Sequence, residues 1–212
     1  MAELAFKHRF EPGARPAAQP LLLLHGTGGN EDDLIPLGRM VDPGAPLLSP
    51  RGKVLEHGMP RFFRRLAEGV FDEADVRART HELADFIEAA REAYGIGAPV
   101  ALGYSNGANI AAAVMLLRPA TLAGGILLRA MTPLSAPEAA GGLAGKAVLI
   151  VSGTRDPIAP PANAARLRAE LERAGARVEH RAVPAGHELA QGDLDLAREW
   201  LQRLEAASSP AP

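Results

Sequence analysis

The stretch "VALGYSNGANIAAAV", residues 100–114, decides the fold of this chain. It changes from an apolar run to a helical pattern at Ser105, which Gly103 and Gly107 flank. Glycine weakens both strands and helices, so two of them around one serine indicate a tight turn. Gly-x-Ser-x-Gly between a strand and a helix is the nucleophile-elbow pattern, which exposes the hydroxyl at a helix amino terminus. An ordinary glycine-rich bend is the alternative, and the strand-before, helix-after context favours the elbow.

Short apolar runs recur along the chain and read as strands buried on both faces. The last of them alternates in polarity, which suits a sheet edge. The predicted strands cover residues 20–26, 45–50, 98–104, 122–130, 146–153 and 176–183.

Helical spacing fills the gaps between these strands. The apolar stripes cover residues 83–94, which end before Gly95, and residues 110–117, 167–174 and 194–204. Strands that alternate with helices predict an α/β fold, a mostly parallel central sheet with helices on both faces.

Residues 51–79 interrupt this alternation. The stretch is rich in arginine, phenylalanine and glycine and has no clean period. We expect a lid-like insertion over the carboxyl edge of the sheet, where such folds bind ligands. Internal repeats and long linkers are missing from the sequence, so residues 1–212 are predicted to form a single domain.

Composition excludes several classes of function. The net charge is −2, and the 23 basic and 25 acidic residues are mixed, so neither a nucleic-acid footprint nor a polybasic membrane patch is expected. With no cysteine, disulfides and thiolate metal sites are excluded. No apolar run is long enough for a membrane span, and the start does not read as a signal peptide. The sequence predicts a cytoplasmic globular protein, and it leaves open whether the chain forms a homodimer.

A serine nucleophile needs a base and an acid, in the chain order serine, acid, histidine for this fold. Two histidines follow Ser105. His180 lies within a strand, whereas His187 lies in the loop after it, so His187 is the predicted base. Asp156 follows a strand and is the predicted acid, although it also suits a turn before a proline. Asp193 and Asp195 follow the histidine and suit a capping role at the last helix.

A glycine-rich loop follows the first strand in "LLLLHGTGGN", residues 21–30. A phosphate-binding loop is the alternative, but the chain lacks both Gly-x-Gly-x-x-Gly at a helix start and Gly-Lys-Ser/Thr. The loop therefore reads as half of an oxyanion hole, with one N–H from Thr27 and the other from Asn106. His25 is expected to brace this loop.

The chain resembles the α/β-hydrolase superfamily, and within it the small bacterial phospholipase/carboxylesterase group. The matching segments run in family order over nearly the whole chain: "LLHGTGGN", "RG" at 51–52, "RFF" at 61–63, "GYSNGAN", "LLRAMTPL", "SGTRDPIAP" and "AGHEL". The resemblance implies a hydrolase of carboxylic esters or thioesters that needs no cofactor or metal, with Ser105, Asp156 and His187 as its triad. The related dienelactone hydrolases typically carry cysteine at the elbow, and serine here argues against a lactone substrate.

Cleavage of small-molecule carboxylic esters is therefore the predicted function. The alternatives are an acyl thioesterase acting on protein or coenzyme A thioesters, and a non-catalytic binding module on the same fold. Four side chains are candidates for substrate contact: Arg51, Phe62, Phe63 and Arg129. The competing interpretation makes the phenylalanines core residues and pairs the arginines with acidic neighbours.

Overall fold

A computed structural model describes residues 4–15, 18–135 and 142–208. Seven strands form one sheet. They are β1 His8–Glu11, β2 Leu21–Leu24, β3 Leu47–Pro50, β8 Val100–Tyr104, β9 Gly124–Leu128, β10 Ala147–Gly153 and β11 Arg177–Val183. Their order in the sheet is β1-β3-β2-β8-β9-β10-β11. Every pairing in this sheet is parallel except that of β1 with β3.

Five helices cover the two faces of the sheet. They are α1 Ile35–Val41, α2 Glu73–Tyr94, α3 Asn106–Leu117, α4 Pro161–Arg173 and α5 Gln191–Ser208. Alternate residues of one strand serve opposite layers, because side chains of a strand point to opposite faces. Leu22 and Leu24 pack in the layer of α2, α3 and α4, whereas Leu21 and Leu23 pack in the layer of α1 and α5. The predicted mostly parallel sheet with helices on both faces is confirmed.

Each of the six predicted strands and four predicted helices is present, and β11 lies at a sheet edge as expected. Outside the insertion, two elements were not predicted. β1 carries the sequence HRFE, which has one apolar residue, and α1 carries IPLGRMV, which contains proline and glycine. Neither segment shows the periodicity on which the prediction relied.

The insertion consists of two short hairpins. β4 Val54–Glu56 pairs with β5 Met59–Arg61, and β6 Arg65–Ala67 pairs with β7 Val70–Phe71. Helix α2 begins at Glu73, where the Asp72 carboxylate accepts the N–H of Asp75 over 3.1 Å. The predicted boundary at residue 79 is therefore wrong, because residues 73–79 already belong to a capped helix.

The insertion lies over the carboxyl edge of the sheet, as predicted. The N–H of Gly28, after β2, donates to the carbonyl of Pro60 over 2.9 Å, and the N–H of Phe62 donates to the Asn106 side chain, after β8, over 2.7 Å. None of the helices in the described ranges is long and apolar enough to cross a membrane.

Candidate active site

Ser105 occupies a strained turn between β8 and α3. Its backbone has φ 51° and ψ −115°, a combination that residues with a Cβ rarely adopt. A Cβ on Gly107 would lie 2.0 Å from the Leu24 carbonyl oxygen, and a Cβ on Gly103 would lie 2.7 Å from the Cα of Ala108. The two glycines therefore permit the turn, as the sequence predicted. Although Ser105 is the N-cap residue of α3, its side chain makes no capping hydrogen bond.

The hydroxyl of Ser105 contacts His187 instead. The Nε2 atom of His187 lies 2.9 Å from Ser105 Oγ, and its Nδ1 atom lies 2.8 Å from Asp156 Oδ2. Because Nδ1–H donates to the carboxylate, Nε2 is left to accept the serine proton. The three predicted residues, which are far apart in sequence, meet in one hydrogen-bonded chain.

Asp156 is buried and fully paired. Its Oδ1 accepts the N–H groups of Ile158 over 2.8 Å and Ala159 over 2.9 Å. Burial raises the pKa of Asp156, but these N–H groups and His187 outweigh burial, so the pKa is lower than usual. The carboxylate stays ionised and holds the orientation of the imidazole.

The other candidate histidine and carboxylates lie elsewhere. His180 Nε2 contacts Ser152 Oγ over 2.9 Å within the sheet, and burial lowers its pKa. Asp193 Oδ2 accepts the N–H of Ala190 over 2.8 Å, at the start of α5, and so performs the expected capping. Asp195 accepts a hydrogen bond from Gln191 over 2.9 Å on the surface.

The loop after β2 lies beside the serine, since a Cβ on Gly26 would be 3.7 Å from the Cβ of Ser105. The N–H of Thr27 has no backbone acceptor within the described residues. Asn106 begins α3, so its N–H has no intrahelical acceptor. Two unused N–H donors therefore lie near the hydroxyl.

His25 braces this loop, as expected. Its Nδ1 donates to the Gly26 carbonyl over 2.7 Å, and its Nε2 accepts the N–H of Gly52, at the start of the insertion, over 3.0 Å. Burial lowers the pKa of His25. The neutral imidazole thus ties two loops together.

Arg129 was a candidate for substrate contact, and the structure corrects that prediction. Its side chain is 0% exposed and forms a bidentate pair with Asp193, with Nη1–Oδ1 2.6 Å and Nη2–Oδ2 2.9 Å. It also donates to the carbonyls of Gly186 over 2.9 Å and Glu188 over 3.0 Å, the two neighbours of His187. Arg129 therefore supports the histidine loop, with its Nε 4.0 Å from Asp156.

The other three candidates also make protein contacts instead of lining the cleft at Ser105. Arg51 pairs with Glu31. Burial raises the pKa of Glu31, but hydrogen bonds from its own N–H, Arg51 and Lys7 outweigh burial and lower this pKa to about 2. Phe62 packs on His25 with ring centroids 4.8 Å apart, and Phe63 packs edge-on against Phe71 at 5.1 Å. Both are core residues, which corrects their predicted substrate contact.

The cleft at Ser105 is small, with a volume of about 30 Å³. The sequence predicted its lining only in part: Thr27, Ser105 and Asn106 were assigned to the site, whereas Arg61, Arg65 and Asn109, among others, were not. Asn106 and Asn109 lie on the first turn of α3, and their Oδ1 atoms accept the N–H groups of Phe62 over 2.7 Å and Met131 over 2.8 Å. Their spacing of three residues is the signal that could have indicated a shared face. The cleft is lined by Thr27, Arg61, Arg65, Glu68, Gly69, Phe71, Ser105, Asn106, Asn109, Met131 and Ile158.

Residues 7–205 match the family model described as phospholipase/carboxylesterase. The chain belongs to the phospholipase/carboxylesterase family. This membership and the solved relatives described below confirm the α/β-hydrolase fold. They also show that the chain is a hydrolase.

Known members of the family resemble the chain along almost its whole length. The candidate hydrolase MhqD of Bacillus subtilis is 47% identical over 196 residues, which cover 92% of this chain and 96% of MhqD. The crystal structure of the Bacillus cereus carboxylesterase is 47% identical, with a TM-score of 0.91 and 94% of each chain covered. A carboxylesterase from Mesorhizobium loti is 34% identical, with a TM-score of 0.89 over 95% of this chain and 97% of its own.

Proposed function

We propose that the protein hydrolyses carboxylic esters of small molecules through an acyl-enzyme on Ser105. The observation that carries this proposal is the hydrogen-bonded chain Ser105–His187–Asp156, with contacts of 2.9 Å and 2.8 Å. A strained serine that forgoes its capping bond and instead contacts a histidine backed by an ionised carboxylate has the geometry of an activated nucleophile.

In this mechanism His187 Nε2 takes the Ser105 proton while Oγ attacks the ester carbonyl. The protonated imidazole is stabilised by Asp156 and then donates the proton to the leaving alcohol. Water attacks the acyl-enzyme by the same route and releases the carboxylic acid.

Negative charge that develops on the carbonyl oxygen needs donors fixed in advance. The N–H groups of Thr27 and Asn106 are the proposed oxyanion hole, and the amino terminus of α3 adds a favourable field. Loss of one such donor typically lowers kcat by about a hundredfold or more.

Fluorophosphonate labelling together with hydrolysis of 4-nitrophenyl acetate tests the proposal. Ser105→Ala should lose both activities while its circular dichroism spectrum stays that of the wild type. Ser152→Ala is the matched control, because Ser152 also contacts a histidine at 2.9 Å but lies outside the cleft. Labelling of Ser105→Ala at the wild-type rate would refute the proposal.

Oxygen esters are proposed in preference to thioesters because the two structural relatives described above are carboxylesterases. Comparison of kcat/KM for ethyl acetate and S-ethyl thioacetate tests this choice. A large preference for the thioester, beyond the ratio of the two uncatalysed hydrolysis rates, would make the thioesterase alternative the better one.

A further inference from the structure

Two arginines of the insertion line the cleft at Ser105 and share one carboxylate. Arg61 Nη1 lies 3.2 Å from Glu56 Oε2, and Arg65 Nε donates to Glu56 Oε1 over 2.9 Å. Arg61 also donates to Thr27 Oγ1 over 2.7 Å, beside the proposed oxyanion hole. This arginine cluster, defined as Arg61, Arg65 and Glu56, therefore extends from the insertion to the reacting centre.

The arginine cluster has a surplus positive charge. The hydrogen bond from Arg65 lowers the pKa of Glu56, and the charges of Arg61 and Arg65 lower it further, so the carboxylate is ionised. Two guanidinium groups against one carboxylate leave a net charge of about +1. Glu68 also lines the cleft, but it is exposed, and water and salt screen its charge.

Hydrogen-bond donors are also in surplus around the cleft. Within the Arg65 side chain, only Nε forms a hydrogen bond to a described residue, and the side chain is 29% exposed. Its two Nη groups are therefore available to a ligand. The Nδ2 atom of Asn106 is buried and has no hydrogen-bond partner in the described part of the chain. A buried donor without an acceptor is unfavourable unless a ligand completes it. The cleft thus fits a group rich in oxygen acceptors.

The position of His187 indicates which half of an ester would meet these donors. The leaving alcohol must approach His187, because that residue returns the proton. His187 is not among the residues that line the cleft with Arg61 and Arg65. The arginine cluster therefore faces the acyl half of the substrate.

We propose that the preferred substrates are half-esters of short dicarboxylic acids, whose free carboxylate binds the arginine cluster while Ser105 attacks the ester. This inference rests on the proposed ester hydrolysis. A carboxylate presents two oxygens to a guanidinium and forms charge-assisted hydrogen bonds. The small cleft favours a short acyl chain.

Two methyl esters of nearly equal shape test the inference in a pH-stat assay. Monomethyl succinate carries the carboxylate, and methyl levulinate carries a neutral acetyl group in its place. Hydrolysis of the first consumes one water and yields the succinate dianion, methanol and one proton, which the pH-stat titrates. The wild type should show kcat/KM at least about tenfold higher for monomethyl succinate, which corresponds to about 1.4 kcal/mol.

Three variants assign that preference to the arginine cluster. Arg65→Gln should lower the ratio of the two kcat/KM values about tenfold. Glu56→Gln, which removes the competing carboxylate, should raise the ratio. Arg64→Gln is the matched control, because Arg64 lies in the same insertion but its guanidinium pairs with Asp72 outside the cleft, and the ratio should not change.

A wild-type ratio near one, or equal losses on both esters in Arg65→Gln, would overturn the inference. A higher kcat/KM for methyl 3-phosphonopropanoate than for monomethyl succinate would overturn the assignment to a carboxylate. Failure of the proposed function looks different, since the wild type would then show no fluorophosphonate label on Ser105. If Ser105 labels and neither methyl ester is hydrolysed, this inference fails on its own.

Discussion

Two serine–histidine contacts in the structure have the same length but differ in the partner at the other ring nitrogen of the histidine. Ser105–His187 and Ser152–His180 both measure 2.9 Å. Only His187 has a carboxylate at its other ring nitrogen, because Asp156 lies 2.8 Å from Nδ1. An imidazole that becomes charged needs that partner, so the acid rather than the serine contact distinguishes the two.

Alanine substitutions of the two histidines test this distinction. We expect His187→Ala to lower kcat for 4-nitrophenyl acetate by about a thousandfold or more, as loss of a triad base does elsewhere. His180→Ala should stay within a few fold of the wild type, because His180 lies outside the cleft. Steady-state kinetics on both folded variants measures the difference. The opposite ranking would make His180, and not His187, the base.

Arg129 supports the loop that carries His187 through hydrogen bonds to the backbone of that loop. It donates to the carbonyls on both sides of His187 and forms a bidentate pair with Asp193, which also caps α5. Its backbone has φ 57°, a left-handed conformation that is uncommon for arginine. A fully buried ion pair of this kind adds little as a pair, but loss of one member leaves an unpaired buried charge.

Arg129→Met should therefore lower the free energy of unfolding by about 3–5 kcal/mol, measured by urea denaturation at pH 7. Arg129→Met combined with Asp193→Asn should lose less, since the stranded charge is gone. In both variants we expect kcat to fall more than KM rises, because the histidine loop loses two carbonyl partners. An equal stability loss in the single and double variants would contradict this account.

The sequence predicts that the three residues of the proposed triad meet at one site, but it could not predict the role of Arg129, for a physical reason. Chain order and strand ends place Ser105, Asp156 and His187 at one sheet edge. Arg129 follows the end of β9 and so lies at the same edge. Whether its side chain points into the cleft or into the protein depends on Asp193, which lies 64 residues away. Local pattern does not contain that pairing.

Among the elements, the elbow between β8 and α3 restricts most strongly which residue types its sequence can contain. Alanine is favoured over glycine within a helix by about 1 kcal/mol. At Gly107 this gain is outweighed, because the added Cβ would lie 2.0 Å from a backbone oxygen of β2 that cannot move without disturbing the sheet. The elbow therefore requires glycine for space.

Gly107→Ala should lower the melting temperature by several degrees or prevent folding, as overpacking against fixed backbone does. Gly97→Ala is the matched control, because no atom lies within 4 Å of a Cβ built there. Its melting temperature should equal that of the wild type or exceed it slightly. Differential scanning calorimetry compares the two, and an unchanged Gly107→Ala would show that β2 can shift.

At the scale of secondary-structure elements, the sequence predicts the bounds of buried strands more accurately than those of exposed strands. The core strands are continuous apolar runs, such as LLLL in β2, and they were predicted close to their observed bounds. β1 is half-exposed and is held by antiparallel pairing with β3, a contact between distant segments. The hairpins of the insertion are likewise short and consist mainly of exposed and half-buried residues, so burial imposes no period on their sequence.

At the scale of the whole molecule, the sheet shares its strands between two apolar layers. Trp200 packs in the layer of α1 and α5, while Phe71 packs against the opposite layer. The insertion is not an independent lid, because Phe62 and Phe63 belong to the same core cluster as α2 and α3. Loss of the helices on either face would expose apolar side chains of β2 to water. The sheet would then be destabilised, so the helices on its other face should unfold as well.

We therefore propose that the chain unfolds as a single domain, in one cooperative transition. Fluorescence of Trp200, the one tryptophan of the chain, monitors one layer in urea. A double variant, Phe71→Trp with Trp200→Phe, moves the probe to the other layer and to the insertion, while far-UV circular dichroism monitors all helices. Once each protein is compared with its own circular dichroism curve, the midpoints of the two probes should coincide within error, because neither layer is stable without the sheet that both cover. If fluorescence of the double variant instead changes at lower urea than its dichroism, the insertion unfolds by itself, and the arginine cluster is carried by a segment able to open over Ser105.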